Sequence, residues 1–161
     1  MVELDRQMMT LALEEAGHAY GEGEVPVGAI LTLGDKIIAR SHNRVMALAD
    51  PTAHAEILAL RSACEKRVNY RLPGVTLYVT LEPCLMCAGA ILQARLARVV
   101  FGAFDLKAGA VCTLYRVLQD HRLNHRTEVR SGVLKEACGE ILSRFFREKR
   151  VIADIGLDAG G

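Results

Sequence analysis

A chain of 161 residues with a formal net charge of +1 fits one domain, long enough to bury a core without disulfides as its main support. With 51% apolar and 24% charged residues, and no excess of Gly or Pro, the composition is that of an ordinary soluble globular protein. No basic segment followed by an apolar stretch opens the chain, and no apolar run approaches the roughly 20 residues a bilayer span needs. Neither a signal peptide nor a membrane partner is expected, and the cytoplasm is the expected compartment. Five cysteines (Cys64, Cys84, Cys87, Cys112 and Cys138) are an odd number, which argues for metal binding or buried thiols over a disulfide framework.

Charge is unevenly spread. Between Arg116 and Arg150 stand nine Lys or Arg against five Asp or Glu, whereas Met1 to Tyr70 holds seven against ten. A basic last third permits a phosphate-contacting surface, or simply a solvated helix face.

In chain order, Leu4, Met8, Leu11, Ala12 and Ala16 predict an amphipathic helix, with Gly21 as its stop. Val25 to Leu33 and Lys36 to Arg40 flank Leu33-Gly-Asp35 and predict a hairpin. Asp50-Pro-Thr52 reads as a helix start, with Thr52 capping a helix from about Ala53 to Lys66. Val75 to Leu81 is rich in β-branched residues and predicts a buried strand. A helix over Cys84 to Ala94, a strand over Arg98 to Gly102, a strand near Glu128 to Val133 and a helix from about Lys135 to Arg150 complete the pattern. Residues 1–150 are thus one α/β domain, and residues 151–161 are expected to be a frayed tail. The helix over Cys84 to Ala94 is apolar nearly all round, so one face needs a second cover, which a partner subunit could supply.

Three residues carry metal-ligand chemistry. Cys84 and Cys87 are three apart at the start of a helix, where the dipole and unpaired N–H groups favour thiolates. His54 starts another helix, so both helix starts could face one pocket. Two thiolates and one imidazole neutralise Zn²⁺ and leave a fourth position for a water whose pKa falls towards about 7. Glu56, two residues after His54, is the candidate catalytic carboxylate, able to take that proton and return it to a ring nitrogen and leaving ammonia. Other readings stand beside this one. Cys84-Leu-Met-Cys87 alone could be a thioredoxin-like redox pair, and Cys64, Cys112 or His42 could close a structural zinc site. A non-catalytic zinc-stabilised binding module has no use for Glu56.

His54-Ala-Glu56 followed by Pro83-Cys-Leu-Met-Cys87 is the zinc deaminase signature. The chain further resembles bacterial tRNA-specific adenosine deaminases in Glu24-Val-Pro-Val-Gly28, Asp50-Pro-Thr-Ala-His-Ala-Glu56, Thr80-Leu-Glu-Pro-Cys84, Met86-Cys-Ala-Gly89, Val99-Val-Phe-Gly102, Asn124-His-Arg126 and Phe145-Phe-Arg147. The resemblance implies a cytidine-deaminase-like three-layer fold with a five-stranded mixed sheet between helices. It implies a homodimer, one Zn²⁺ per subunit on His54, Cys84 and Cys87, and Glu56 as proton shuttle. It also implies a tRNA anticodon stem-loop as partner, its wobble adenosine being converted to inosine. Asn43 would then hydrogen-bond the purine, with Val27 and Ala55 lining the base pocket. Asp105 and Lys107 would lie near the substrate strand, Asp105 accepting a hydrogen bond from a 2′-hydroxyl. Phe145, Phe146 and Arg147 would meet bases and phosphates. The alternative substrate is a free base or nucleoside such as guanine or cytidine, which needs no phosphate contacts.

Overall fold

The β-branched run Val75–Leu81 forms the central strand of a five-stranded sheet. The computed structural model describes residues 1–156. In chain order the elements are α1 (Val2–Gly21), β1 (Gly28–Leu33), β2 (Lys36–His42), α2 (Ala55–Arg67), β3 (Val75–Leu81), α3 (Leu85–Gln93), β4 (Arg98–Ala103), β5 (Glu128–Arg130) and α4 (Lys135–Asp154). A short 3-10 turn, Val117–Gln119, lies between β4 and β5. The strand order is β2-β1-β3-β4-β5. β1 runs antiparallel to both β2 and β3, while β3, β4 and β5 are parallel. The sheet is mixed because the hairpin returns directly at Gly34, whose φ of +63° suits a tight turn, whereas the later strands need crossovers.

Both faces of the sheet are covered, so the strands bury residues of both parities. Ala29, Leu31, Leu77, Val79, Val99 and Phe101 pack on the side of α2 and α3. Ile30, Tyr78 and Val100 point the other way, towards Met8, Met9 and Ala12 of α1 and Cys138 of α4. Gly28 lets α1 lie directly on β1, since a Cβ there would collide with the Ala12 carbonyl. On this face Asp5 is fully buried in a cluster of charges. Its carboxylate accepts hydrogen bonds from Tyr78 Oη at 3.0 Å, from both terminal nitrogens of Arg98 at 2.8 Å, and from Arg130. One helix is thereby tied to β3, β4 and β5.

Several element ends differ from the sequence expectation. β1 begins at Gly28 and not Val25, because Pro26 has no N–H to give a ladder. β5 stops at Arg130, short of Val133. α2 begins at Ala55, and Thr52 does not cap it: its hydroxyl and its N–H both donate to Asp50 Oδ1, at 2.7 and 2.8 Å. α4 continues past Arg150 to Asp154, since Val151 to Asp154 holds no helix breaker and the stop comes at Gly156, with φ +69°. Of the expected tail, residues 151–154 are therefore helical, and residues 157–161 lie outside the described residues.

Candidate active site

His54 and Cys84 each occupy the N-cap of a helix, in extended backbone (φ −71°, ψ 152° and φ −79°, ψ 178°), and neither side chain caps its own helix. Both side chains are therefore free to project into the space between the two helix starts. Cys87 reaches the same space from the first turn of α3, where it is buried. His54 Nδ1 lies 3.7 Å from Cys84 Sγ and 3.5 Å from Cys87 Sγ, and the three donor atoms sit within 4.8 Å of one another.

Ligand bonds of about 2.0 Å to nitrogen and 2.3 Å to sulfur at tetrahedral angles place N and S roughly 3.6 Å apart, so these three residues fit Zn²⁺. Among the described residues no fourth His, Cys, Asp or Glu joins the set. Cys64, Cys112 and His42, the candidates for closing it, are not among its donors.

The surroundings already favour a thiolate here. A hydrogen bond from the Cys87 thiol, helped by His54, pushes Cys84 down to about 3. Cys87 shares that hydrogen bond, is buried and lies near Glu56, and is pushed up in turn. His54 is pushed up by its contact with Cys84. Glu56, the second residue of α2, is only 4% exposed, and burial raises its carboxyl above the usual range.

These groups open into a cavity of about 1010 Å³, whose wall includes His54, Glu56 and Cys84, and also Val27, Asn43 and Asp105. Phe145 and Lys149 of α4 reach the same cavity. The structure separates the remaining sequence candidates from it. Ala55 is buried in the core, and its N–H donates to Asn43 Oδ1 at 2.8 Å. Lys107 is exposed on the Asp105 loop. Phe146 is 44% exposed and Arg147 pairs with Glu140 at 3.3 Å, both on the outer surface of α4.

Three polar side chains shape the cavity walls. Asn43 supplies the capping acceptor that Thr52 does not, and its NH₂ group has no hydrogen bond among the described residues. Glu24, buried, accepts from Met46 N at 3.0 Å and Ala47 N at 2.7 Å, pinning the turn that follows Asn43. Glu82, 2% exposed, organises the loop after β4. Its Oε1 accepts from Asp105 N (3.1 Å) and Thr113 Oγ1 (2.5 Å), and its Oε2 from Val111, Cys112 and Thr113 N (3.1, 2.8 and 2.9 Å). Burial pushes Glu82 up, but these donors outweigh it and hold the carboxyl below its ordinary value. Asp105 closes its own turn, Oδ1 accepting from Lys107 and Ala108 N.

Sequence reasoning passed over Glu24, Glu82 and Lys149, although the first two stand inside the quoted motifs. Gly109 packs on the Glu82 carboxylate so closely that a Cβ would overlap it. Glu82→Gln keeps one acceptor oxygen and turns an NH₂ group towards backbone donors. It is expected to cost about 1–3 kcal/mol in urea denaturation, with Gly109→Ala shifting the midpoint in the same direction.

Known proteins resemble this chain in sequence and in fold. A model of the MafB19-like deaminases matches residues 4–150. A tRNA-specific adenosine deaminase of Bacillus subtilis is 52% identical over 146 residues, covering 91% of each chain. Among solved structures, one from work on A-to-I editing by tRNA:A34 deaminases at the wobble position superposes with a TM-score of 0.82 and 49% identity, covering 84% of this chain and 99% of the other. A guanine deaminase from Nitrosomonas europaea follows at 0.76 and 25% identity, covering 87% and 83%. With the fold and about half the sequence held in common, this chain belongs to the tRNA-specific adenosine deaminase family.

Proposed function

We propose that this chain is a zinc-dependent hydrolase that converts adenosine to inosine at the wobble position of a tRNA anticodon. The observation that carries the reading is a buried carboxylate, Glu56, facing the same cavity as His54 and Cys84, with Cys87 behind them. Adenosine and water give inosine and ammonia, so the water must give up two protons, one to the purine ring nitrogen and one to the departing amine. When bound by His54, Cys84 and Cys87, Zn²⁺ supplies the acidity that makes water a nucleophile at neutral pH. Glu56 takes the first proton at its carboxylate and passes it to the purine ring nitrogen, then takes the second from the oxygen newly joined to the ring carbon and passes it to the departing amine. Burial raises its pKa, which suits a group that must accept and release a proton in one cycle.

Asn43 is already fixed by Ala55 N and offers its NH₂ to an acceptor on the base. Val27 supplies apolar wall. The flanking RNA would follow the open side of the cavity, past Asp105 and Lys149 towards Phe146, Arg147 and Lys107 on the surface. Extruding a base costs a few kcal/mol, least from a loop, which fits an anticodon substrate. The tRNA-specific relative from Bacillus subtilis is 52% identical over 91% of this chain, whereas guanine deaminases share 25% over 87% or 38% over 61% of it. The reading places the protein in the cytoplasm with its substrate. Among the described residues no helix is long and apolar enough to cross a membrane.

The test incubates the purified protein with an anticodon stem-loop carrying adenosine at the wobble position, and separately with free adenosine, guanine and cytidine. Inosine in the stem-loop alone supports the reading, and turnover of a free base alone replaces it.

Leu85 and Met86 at the start of α3 are exposed, 52% and 36%, beside the candidate metal ligands. We propose that a second copy of the chain covers this face. Light scattering is expected to give twice the chain mass, and Met86→Glu is expected to shift it towards the monomer; a wild-type monomer at micromolar concentration would refute the dimer.

A further inference from the structure

Outside the cavity lining, α1 and β2 bring together a second set of metal-ligating side chains. Glu15 and His18 stand one turn apart on α1, and His42 is the last residue of β2. Glu15 Oε2 lies 3.0 Å from His42 Nδ1 and 3.4 Å from His18 Nδ1. The three ligand atoms sit within 4.8 Å of one another.

Neighbouring groups hold this geometry. Arg40 Nε donates to Glu15 Oε1 at 2.7 Å, which turns the other carboxylate oxygen towards the histidines. His42 Nε2 stands 3.0 Å from Glu22 Oε1, close enough to donate its proton there. A carboxylate on the far ring nitrogen is the arrangement that orients metal-binding histidines. A neutral His42 with its proton on Nε2 aims the Nδ1 lone pair at a carboxylate oxygen, and the 3.0 Å approach then needs a positive centre between them. A second ring proton meets that need, and so does a metal ion, which would bring the His18 nitrogen and the Glu15 oxygen onto the same centre. Glu and His at i and i+3 on one helix is a known metal-binding spacing.

We propose that Glu15, His18 and His42 form a second metal site, for a divalent first-row cation with affinity for imidazole such as Ni²⁺, Cu²⁺ or Zn²⁺. Two neutral nitrogens and one carboxylate oxygen suit these ions better than Mg²⁺ or Ca²⁺, which prefer all-oxygen sets. His18 is 62% exposed, so the site can load from solvent, while Glu15 and His42 anchor it in the fold. The ion would clip α1 to the end of β2, one residue before Asn43.

The experiment uses untagged, zinc-loaded protein at neutral pH, titrated with Ni²⁺ by calorimetry, with both metals then counted by mass spectrometry. One Ni²⁺ per chain is expected on top of unchanged zinc. Affinity is expected to fall at least about tenfold in His18→Ala and in Glu15→Gln, with zinc again unchanged. The exposed position of His18 keeps the first variant foldable should the second lose structure. The proposal is overturned if no Ni²⁺ is taken up, if Ni²⁺ replaces zinc mole for mole, or if His18→Ala binds as tightly as the natural chain. Because zinc is counted separately, a chain that holds no zinc would refute the active-site reading without touching this one.

Discussion

Replacing Glu56 by Ala is expected to lower turnover of the stem-loop by about 10²–10⁴-fold while one Zn²⁺ per chain stays bound. Glu56 lies outside the group of donors that converge on the ion position, so its loss leaves His54, Cys84 and Cys87 in place. The carboxylate nonetheless lines the same cavity as His54 and Cys84, and burial raises its pKa, which suits the proposed proton transfer. Glu56→Gln separates shape from chemistry: it keeps the size and the hydrogen-bonding oxygen but cannot carry the proton, so it is expected to be as inactive as the alanine variant. Burying a carboxyl is costly, so neither substitution is expected to lower thermal stability. Zinc and activity are measured on the same sample. If metal is lost with activity, Glu56 is a ligand and the proton-shuttle assignment falls.

Asp5→Ala is expected to destabilise the fold by about 3–5 kcal/mol, read as a lower urea midpoint. The substitution strands two guanidinium groups in the sheet–α1 layer. Arg98 would keep only a 3.6 Å approach to Glu128, and its Nε already has no hydrogen-bond partner among the described residues. Tyr78→Phe, which removes one donor to the same carboxylate, is expected to cost about 1 kcal/mol. Burial pushes Asp5 up, but hydrogen bonds from Arg98, Arg130 and Tyr78 outweigh it and bring it down to about 2, against 3.8 for a free side chain. A carboxyl depressed on folding stabilises the protein above its unfolded pKa. The contribution, about 2 kcal/mol, is complete above pH 3.8 and is lost as the pH falls through about 2. Acid unfolding of Asp5→Ala is expected to lack that component. The cluster lies on the α1 face of the sheet, away from the cavity, so turnover per folded molecule is expected to hold.

The sequence made the elements legible where pattern is local. Val75–Leu81 is a strand because branched side chains fill both faces, and the Cys84 region is a helix because nothing in Leu85–Gln93 but Gly89 disfavours one. The three donor residues were legible because spacing at helix starts is also local. Contacts between distant segments were not. Thr52 carries the right chemistry for a cap, yet the acceptor for Ala55 N comes from Asn43, twelve residues upstream. Glu24 and Glu82 hide for the same reason: their partners are backbone N–H groups 22 to 31 residues away, which no periodicity announces. Phe145, Phe146 and Arg147 follow one another in sequence, but a helix turns about 100° per residue. The three therefore face different surroundings, and Phe145 alone reaches the cavity.

The double duty of Asn43 has a consequence for anyone who would redirect this enzyme to another nucleobase. The amide that would read the base is also the peg on which the histidine- and glutamate-bearing helix is hung. Swapping it to gain a new hydrogen-bond pattern would loosen the proposed catalytic groups in the same stroke, so substrate preference and chemical rate are not expected to be tunable independently there. Directed evolution should find its gains at Val27, Lys149 and the segment held by Glu82, where recognition can drift without disturbing the reacting centre.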